Sequence, residues 1–175
     1  MRARLREAFS EGMVAVLATS SRETGPASTL VSWLVLREDG VVALALDRRG
    51  RAYENARSDP RASLEVFDVS GGLAVRGWLT VTNCVVRAAP FDSALAILDV
   101  EEIRDHGLRS VVFEPPRYGY GPGKSHYERV EKSIIHELRA APISQTIDFL
   151  VRHAGREKGL WTSKLHKRLI PGARS

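Results

Sequence analysis

The chain has 175 residues, 43% of them hydrophobic and 27% charged, with no low-complexity tract, which is the size and composition of one globular domain. Its single cysteine, Cys84, excludes an internal disulfide framework and a multi-thiolate zinc site, and no run approaches the ~20 apolar residues of a membrane-spanning helix. The net charge of +5 is concentrated at one end: Val151 to Ser175 holds seven basic residues against the single acid Glu157, so the rest of the chain carries −1. A basic tail can meet nucleic acid. No recognised nucleic-acid motif accompanies it here, so a solvated end is expected.

In chain order, Arg2 to Glu11 reads as a short amphipathic helix stopped by Gly12. Met13 to Ala18 is too short for the core of a signal peptide, and a cytoplasmic protein is expected. Met13 to Ser20 reads as the first strand, and Ala27 to Arg37, rich in β-branched and aromatic residues, as the second. The turn at Glu38 to Gly40 makes a hairpin with a third strand, Val41 to Leu46. Asp47 to Arg61 is polar and permits a helix that ends at Asp59-Pro60. Ala62 to Val69 and Leu73 to Ala88 follow as strands around Gly71-Gly72. Pro90 to His106 is expected to be a helix, with Phe91, Ala94, Leu95, Leu98 and Ile103 along one side. A last strand, Leu108 to Glu114, is ended by Pro115-Pro116, and helices are expected over His126 to Ala140 and Ser144 to His153.

Antiparallel strands joined by hairpins, with a helix after the third, fit a barrel and not a doubly wound sheet. The expected architecture is mainly β: a six-stranded antiparallel split β-barrel with flanking helices over 1–142, and a basic helical extension over 143–175. The five histidines show no i, i+3 or i+4 pair, so no metal site is expected. The segment Gly119 to Lys124 lacks phosphate-loop spacing and reads as a turn; its Tyr118 and Tyr120 could reach a cavity where the last strand closes the barrel.

The order of motifs from Leu5 to Gly77 carries a resemblance. A helix precedes V-A-V-L-A-T (Val14 to Thr19), Gly25-Pro26 leads to a strand holding Ser32-Trp33, and a basic segment, Gly50 to Leu64, is followed by V-R-G (Val75 to Gly77). The chain resembles the flavin-binding split barrels related to pyridoxamine 5'-phosphate oxidase, whose pattern is close to S-R-K-x-x-N-L-x-x-D-P-R-V-x-L. Arg51, Asn55, Asp59, Pro60, Arg61 and Leu64 fall in register with it. Ala52 stands where a lysine is frequent and Gly50 where a serine is common, which removes two customary phosphate contacts.

What the resemblance implies is a homodimer with flavin mononucleotide at the subunit interface, and an oxidoreductase passing hydride or electrons to a small substrate. Arg51 would anchor the phosphate at the strand-to-helix junction, where free N–H groups and a positive dipole end favour an anion, with Arg48 or Arg49 in support. From the second strand Thr29 and Ser32 are candidate ring contacts, on opposite faces by strand alternation, and Trp78 joins them beside a core or interface role. Deazaflavin or haem are the alternative cofactors, and a non-catalytic binding or sensor protein is the alternative function. No match to the substrate-binding C-terminal segment of the true oxidases is found, so pyridoxamine 5'-phosphate is not the expected substrate.

Overall fold

The computed structural model describes residues 2–9, 12–107, 110 and 112–141. Helix α1 (Arg2–Ala8) precedes strands β1 (Ala15–Ser21), β2 (Gly25–Val31), β3 (Leu34–Leu36) and β4 (Val42–Asp47). Helix α2 (Arg51–Ser58) leads to β5 (Arg61–Asp68), β6 (Gly71–Val85) and β7 (Ser93–Asp105), and α3 (Ser125–Ala140) closes the described chain. All strands belong to one antiparallel sheet in the order β2-β1-β5-β6-β7-β4-β3, curled into a half-barrel with flanking helices. The expected extension over 143–175, including the helix at Ser144 to His153, lies outside the described residues. Among the described residues, no helix is long and apolar enough to cross a membrane.

The sheet has seven strands, not six, and three local differences account for the count. The expected second strand breaks at Ser32-Trp33 into β2 and β3, which become the two edges of the sheet. The segment expected as a helix after Pro90 is strand β7. None of the described residues between Leu108 and Glu114 is in a strand; the Phe113 N–H instead bonds the Val69 carbonyl at 2.9 Å, and the chain returns past Gly12, whose carbonyl takes the Tyr118 N–H.

Strand β7 was disguised because both of its faces are buried. Ala94, Ala96 and Leu98 join the core inside the curl, while Leu95 and Ile97 pack under α3 with Val35, Ala43 and Ala45. A continuous apolar run rich in Ala and Leu has no period-2 signal and matches a helix equally well. The inner core also takes Leu17, Leu44, Leu64, Leu73 and Leu79, each fully buried, together with Leu5 and Ala8 of α1 and Ala52 and Ala56 of α2. Burying one such leucine contributes roughly 1.5–3 kcal/mol. The V-R-G motif has a packing cause: at the bulge between Arg76 and Gly77, a Cβ on Gly77 would lie 1.9 Å from the Asp99 carbonyl oxygen.

Polar clamps fix the helices. The Arg37 guanidinium of the β3–β4 turn donates to the Ala141 carbonyl at 2.6 Å and so caps the end of α3. Glu137 of α3 accepts the N–H groups of Arg87 and Ala88 at 2.8 and 2.9 Å, tying the β6–β7 loop to the helix. Arg4 of α1 donates to both carboxylate oxygens of Asp68, at 2.5 and 3.0 Å, and pairs with Asp105. These bonds hold both carboxyls below the usual range.

A depressed carboxyl stabilises the fold above its ordinary pKa and loses that contribution as pH falls through the lowered value. Arg4→Ala is therefore expected to lower the melting temperature at neutral pH, with the gap to the parent narrowing once the pH passes below about 4. Melting curves across that range check it; a gap independent of pH would contradict the clamp.

Candidate functional site

The turn between β4 and α2 is where chain direction and charge coincide. Strand β4 ends at Asp47, whose side chain accepts the Arg49 N–H at 2.9 Å while its carbonyl accepts that of Gly50 at 3.0 Å. Helix α2 then starts from an extended Gly50 without a side-chain cap. The Gly50 carbonyl takes the N–H groups of Tyr53 and Glu54, which leaves those of Arg51 and Ala52 at the open end of the helix.

Three arginines surround that opening and are committed to different degrees. Arg49 grips Asp47 through Nε and Nη2 at 3.0 and 2.9 Å, holding that carboxyl well below the usual range, and its guanidinium lies 5.9 Å over the Phe91 ring. Arg48 sits 3.2 Å from Asp92, reaches the Asn83 carbonyl at 3.4 Å and lies over Tyr53. Arg51 is 56% exposed and, among the described residues, pairs with Glu54 alone, at 3.7 Å across one helical turn. An exposed pair of that length holds its guanidinium weakly.

The hydroxyl of Ser93, which is fully buried and pairs with Asp47 in the β4–β7 register, makes no hydrogen bond among the described residues, while Arg48 Nε is taken up by Asp92. An exposed guanidinium at the free N–H groups of a helix start suits an oxygen-rich anion. Next to it, Phe91 stacks on Trp33 at 5.2 Å between ring centroids, giving an aromatic face 40% exposed at Phe91. The residues present thus fit a phosphate with a flat ring attached.

The six candidates from the sequence divide accordingly. Arg48, Arg49 and Arg51 come together at the turn. Ser32 lies elsewhere, in a groove of about 1000 Å³ between α1, β3 and α3 whose lining contains none of the other five. Thr29 is half-buried on β2 opposite Leu17, and Trp78 is half-buried on β6 between Arg61 and Asp99. Asn83, Phe91, Asp92 and Ser93 were missed; the last three fell inside the helix expected from Pro90, and their approach to the turn depends on the long β6–β7 hairpin. Tyr118 and Tyr120 donate to Glu131 of α3, which makes them braces of that helix. Among the described residues no group of side chains could hold a metal ion.

The rest of the shared pattern is architectural. Asn55, fully buried, donates to the Gly25 carbonyl at 3.1 Å and to Thr19 at 3.3 Å. Asp59 ends α2 and grips Arg61, Pro60 lends its carbonyl to the Leu79 N–H at 2.6 Å, and Leu64 is core. Ala52, where a lysine is frequent, is 3% exposed and packs in the inner core. Its side chain points away from any phosphate at the turn, so the missing lysine is a packing choice here.

No protein-family model matches the chain, and no curated protein matches it significantly. Solved structures do. HupZ from Group A Streptococcus superposes with a TM-score of 0.50 and 16% identity, over 66% of this chain and 98% of that one. A point variant of the same protein gives 0.51 and 16%, over 59% and 98%. HutZ from Vibrio cholerae, described as a heme storage protein, lies further off at 0.47 and 14%, over 57% and 89%. The curled antiparallel sheet and the two HupZ superpositions make the fold a split barrel.

Proposed function

We propose that this protein binds flavin mononucleotide with its phosphate at the β4–α2 turn. One observation carries the reading: the exposed Arg51 guanidinium belongs to the first residue of α2, where the N–H groups of Arg51 and Ala52 are left without a helical partner. Arg51 is the anchor and Arg48 its support; Arg49, held by Asp47, shapes the turn and carries the aromatic face. When bound, a flavin supplies hydride or single-electron exchange at its ring, while the protein holds, orients and shields it.

The reading is first that of a cofactor-holding protein. An oxidoreductase acting on a small substrate is its stronger form, shown by steady oxidation of a reduced nicotinamide by the loaded protein. Thr29, Ser32 and Trp78 do not gather round the turn within one chain, so their ring contacts come from a second copy in a homodimer. Equilibrium dialysis against flavin mononucleotide and riboflavin tests the phosphate directly. The mononucleotide is expected to bind about 100-fold more tightly, equivalent to roughly 2.7 kcal/mol. Equal affinities would refute the phosphate site. A phosphate-bearing deazaflavin would compete at this turn, and a haem would compete only through its propionate carboxylates.

A further inference from the structure

We infer that Glu137 of α3 is a positioning residue for the flavin site, acting through the β6–β7 loop; the inference rests on the reading above. One side of that loop is held by the helix. The Ala89 N–H closes a turn on the Val86 carbonyl at 3.2 Å, and the two central residues, Arg87 and Ala88, have no backbone acceptor among the described residues. Each of their N–H groups meets one oxygen of the Glu137 carboxylate, at 2.8 and 2.9 Å. Two backbone donors on one carboxylate make a charge-assisted grip, stronger than two neutral bonds. Glu137 can make it because Ile134 and Leu138, both fully buried, seat α3 on the sheet, and Ala88 and Ala89 pack against the same cluster.

The other side of the loop builds the site. Its base is closed by the Val86 N–H on the Ser93 carbonyl at 2.9 Å. Just before Ser93, Phe91 stacks on Trp33 and lies under the Arg49 guanidinium. Asp92 holds the β4–α2 turn twice: its carbonyl takes the Arg48 N–H at 3.1 Å, and its carboxylate pairs with Arg48 Nε at 3.2 Å. Phe91 is 40% exposed, too open for packing alone to fix its ring. The aromatic face therefore stands where the loop backbone puts it, and Glu137 fixes that backbone from the far side. Glu137 needs no contact with a flavin to matter: it sets the place of the Phe91 ring and of the Asp92–Arg48 pair.

Amide hydrogen exchange on the isotope-labelled full chain, followed by equilibrium dialysis against flavin mononucleotide, tests the two steps separately. In Glu137→Ala the Arg87 and Ala88 amides are expected to exchange at least about tenfold faster, with those of Ile134 and Leu138 unchanged, so that the helix stays seated. The same variant is expected to bind flavin mononucleotide about tenfold more weakly, and Glu137→Gln, which keeps one carbonyl acceptor, about threefold. In a Phe91→Ala background Glu137→Ala should cost less than about threefold, because the ring it places is gone. Unchanged exchange at Arg87 and Ala88, unchanged flavin affinity in Glu137→Ala, or the same loss with and without the Phe91 ring overturns the inference. A parent that binds no flavin overturns the flavin reading and this inference with it, a case told apart by faster exchange in Glu137→Ala with no binding to lose.

Discussion

Asn55→Ala is expected to lower stability by about 3 kcal/mol, a fall of roughly 6–12 °C in melting temperature for a chain of this size. The asparagine sits on α2 with no solvent exposure, and every polar atom of its amide is used. Its nitrogen donates to the Gly25 carbonyl and the Thr19 hydroxyl, and its oxygen accepts from Thr24, whose hydroxyl also meets Ser21 at 2.6 Å. Truncation leaves a cavity and strands the Gly25 carbonyl, so transfer and desolvation losses act together. Asn55→Asp is also destabilising, since a carboxylate cannot donate to that carbonyl, and the deficit should shrink as acid protonates it. Thermal melts of the parent and both variants check this. A change within about 0.5 kcal/mol would mean that the hairpin–helix link is solvated.

Arg51→Ala is expected to weaken flavin mononucleotide binding by about 100-fold and riboflavin binding hardly at all. The guanidinium lies on the surface and its ion pair with Glu54 is long and exposed, so its removal leaves the fold in place. Arg51→Lys should restore part of the affinity through charge, but not the bidentate geometry. Arg49→Ala acts differently: it frees Asp47 at the mouth of the turn and sets a carboxylate against the phosphate. Its penalty should therefore grow as ionic strength falls. Isothermal titration of the three variants against both ligands separates these effects.

Part of the fold was legible because β1, β2 and β5 alternate between a drier and a wetter face. The alternation along β1, the turn at Glu38 to Gly40 and the stripe of Val130, Ile134 and Leu138 on α3 each carry a local signal that survives folding. Strand β7 did not, since α3 covers the face that would otherwise have been polar. The edge break at Ser32-Trp33 was equally silent: no Pro or Gly marks it, and it follows from β3 pairing with β4 while β2 pairs with β1.

The candidate site was half legible for a related reason. Arg48, Arg49 and Arg51 are neighbours in sequence and stay neighbours in space. Ser93 and Phe91 reach them only through the β6–β7 hairpin, and their role rests on tertiary register that local pattern does not encode. The shared motif also misleads if every position is read as a ligand contact, because Asn55, Asp59, Pro60 and Leu64 serve the joint between α2 and the sheet.

The most direct measurement is an amide proton–nitrogen correlation spectrum of the isotope-labelled protein, recorded during titration with flavin mononucleotide and again with riboflavin. The phosphate site predicts that the N–H signals of Arg51 and Ala52 move first and furthest, that the Ser93 signal moves with them, and that riboflavin leaves all three in place. Shifts confined to other parts of the sheet, or the same shifts with riboflavin, would contradict a phosphate seated at the start of α2.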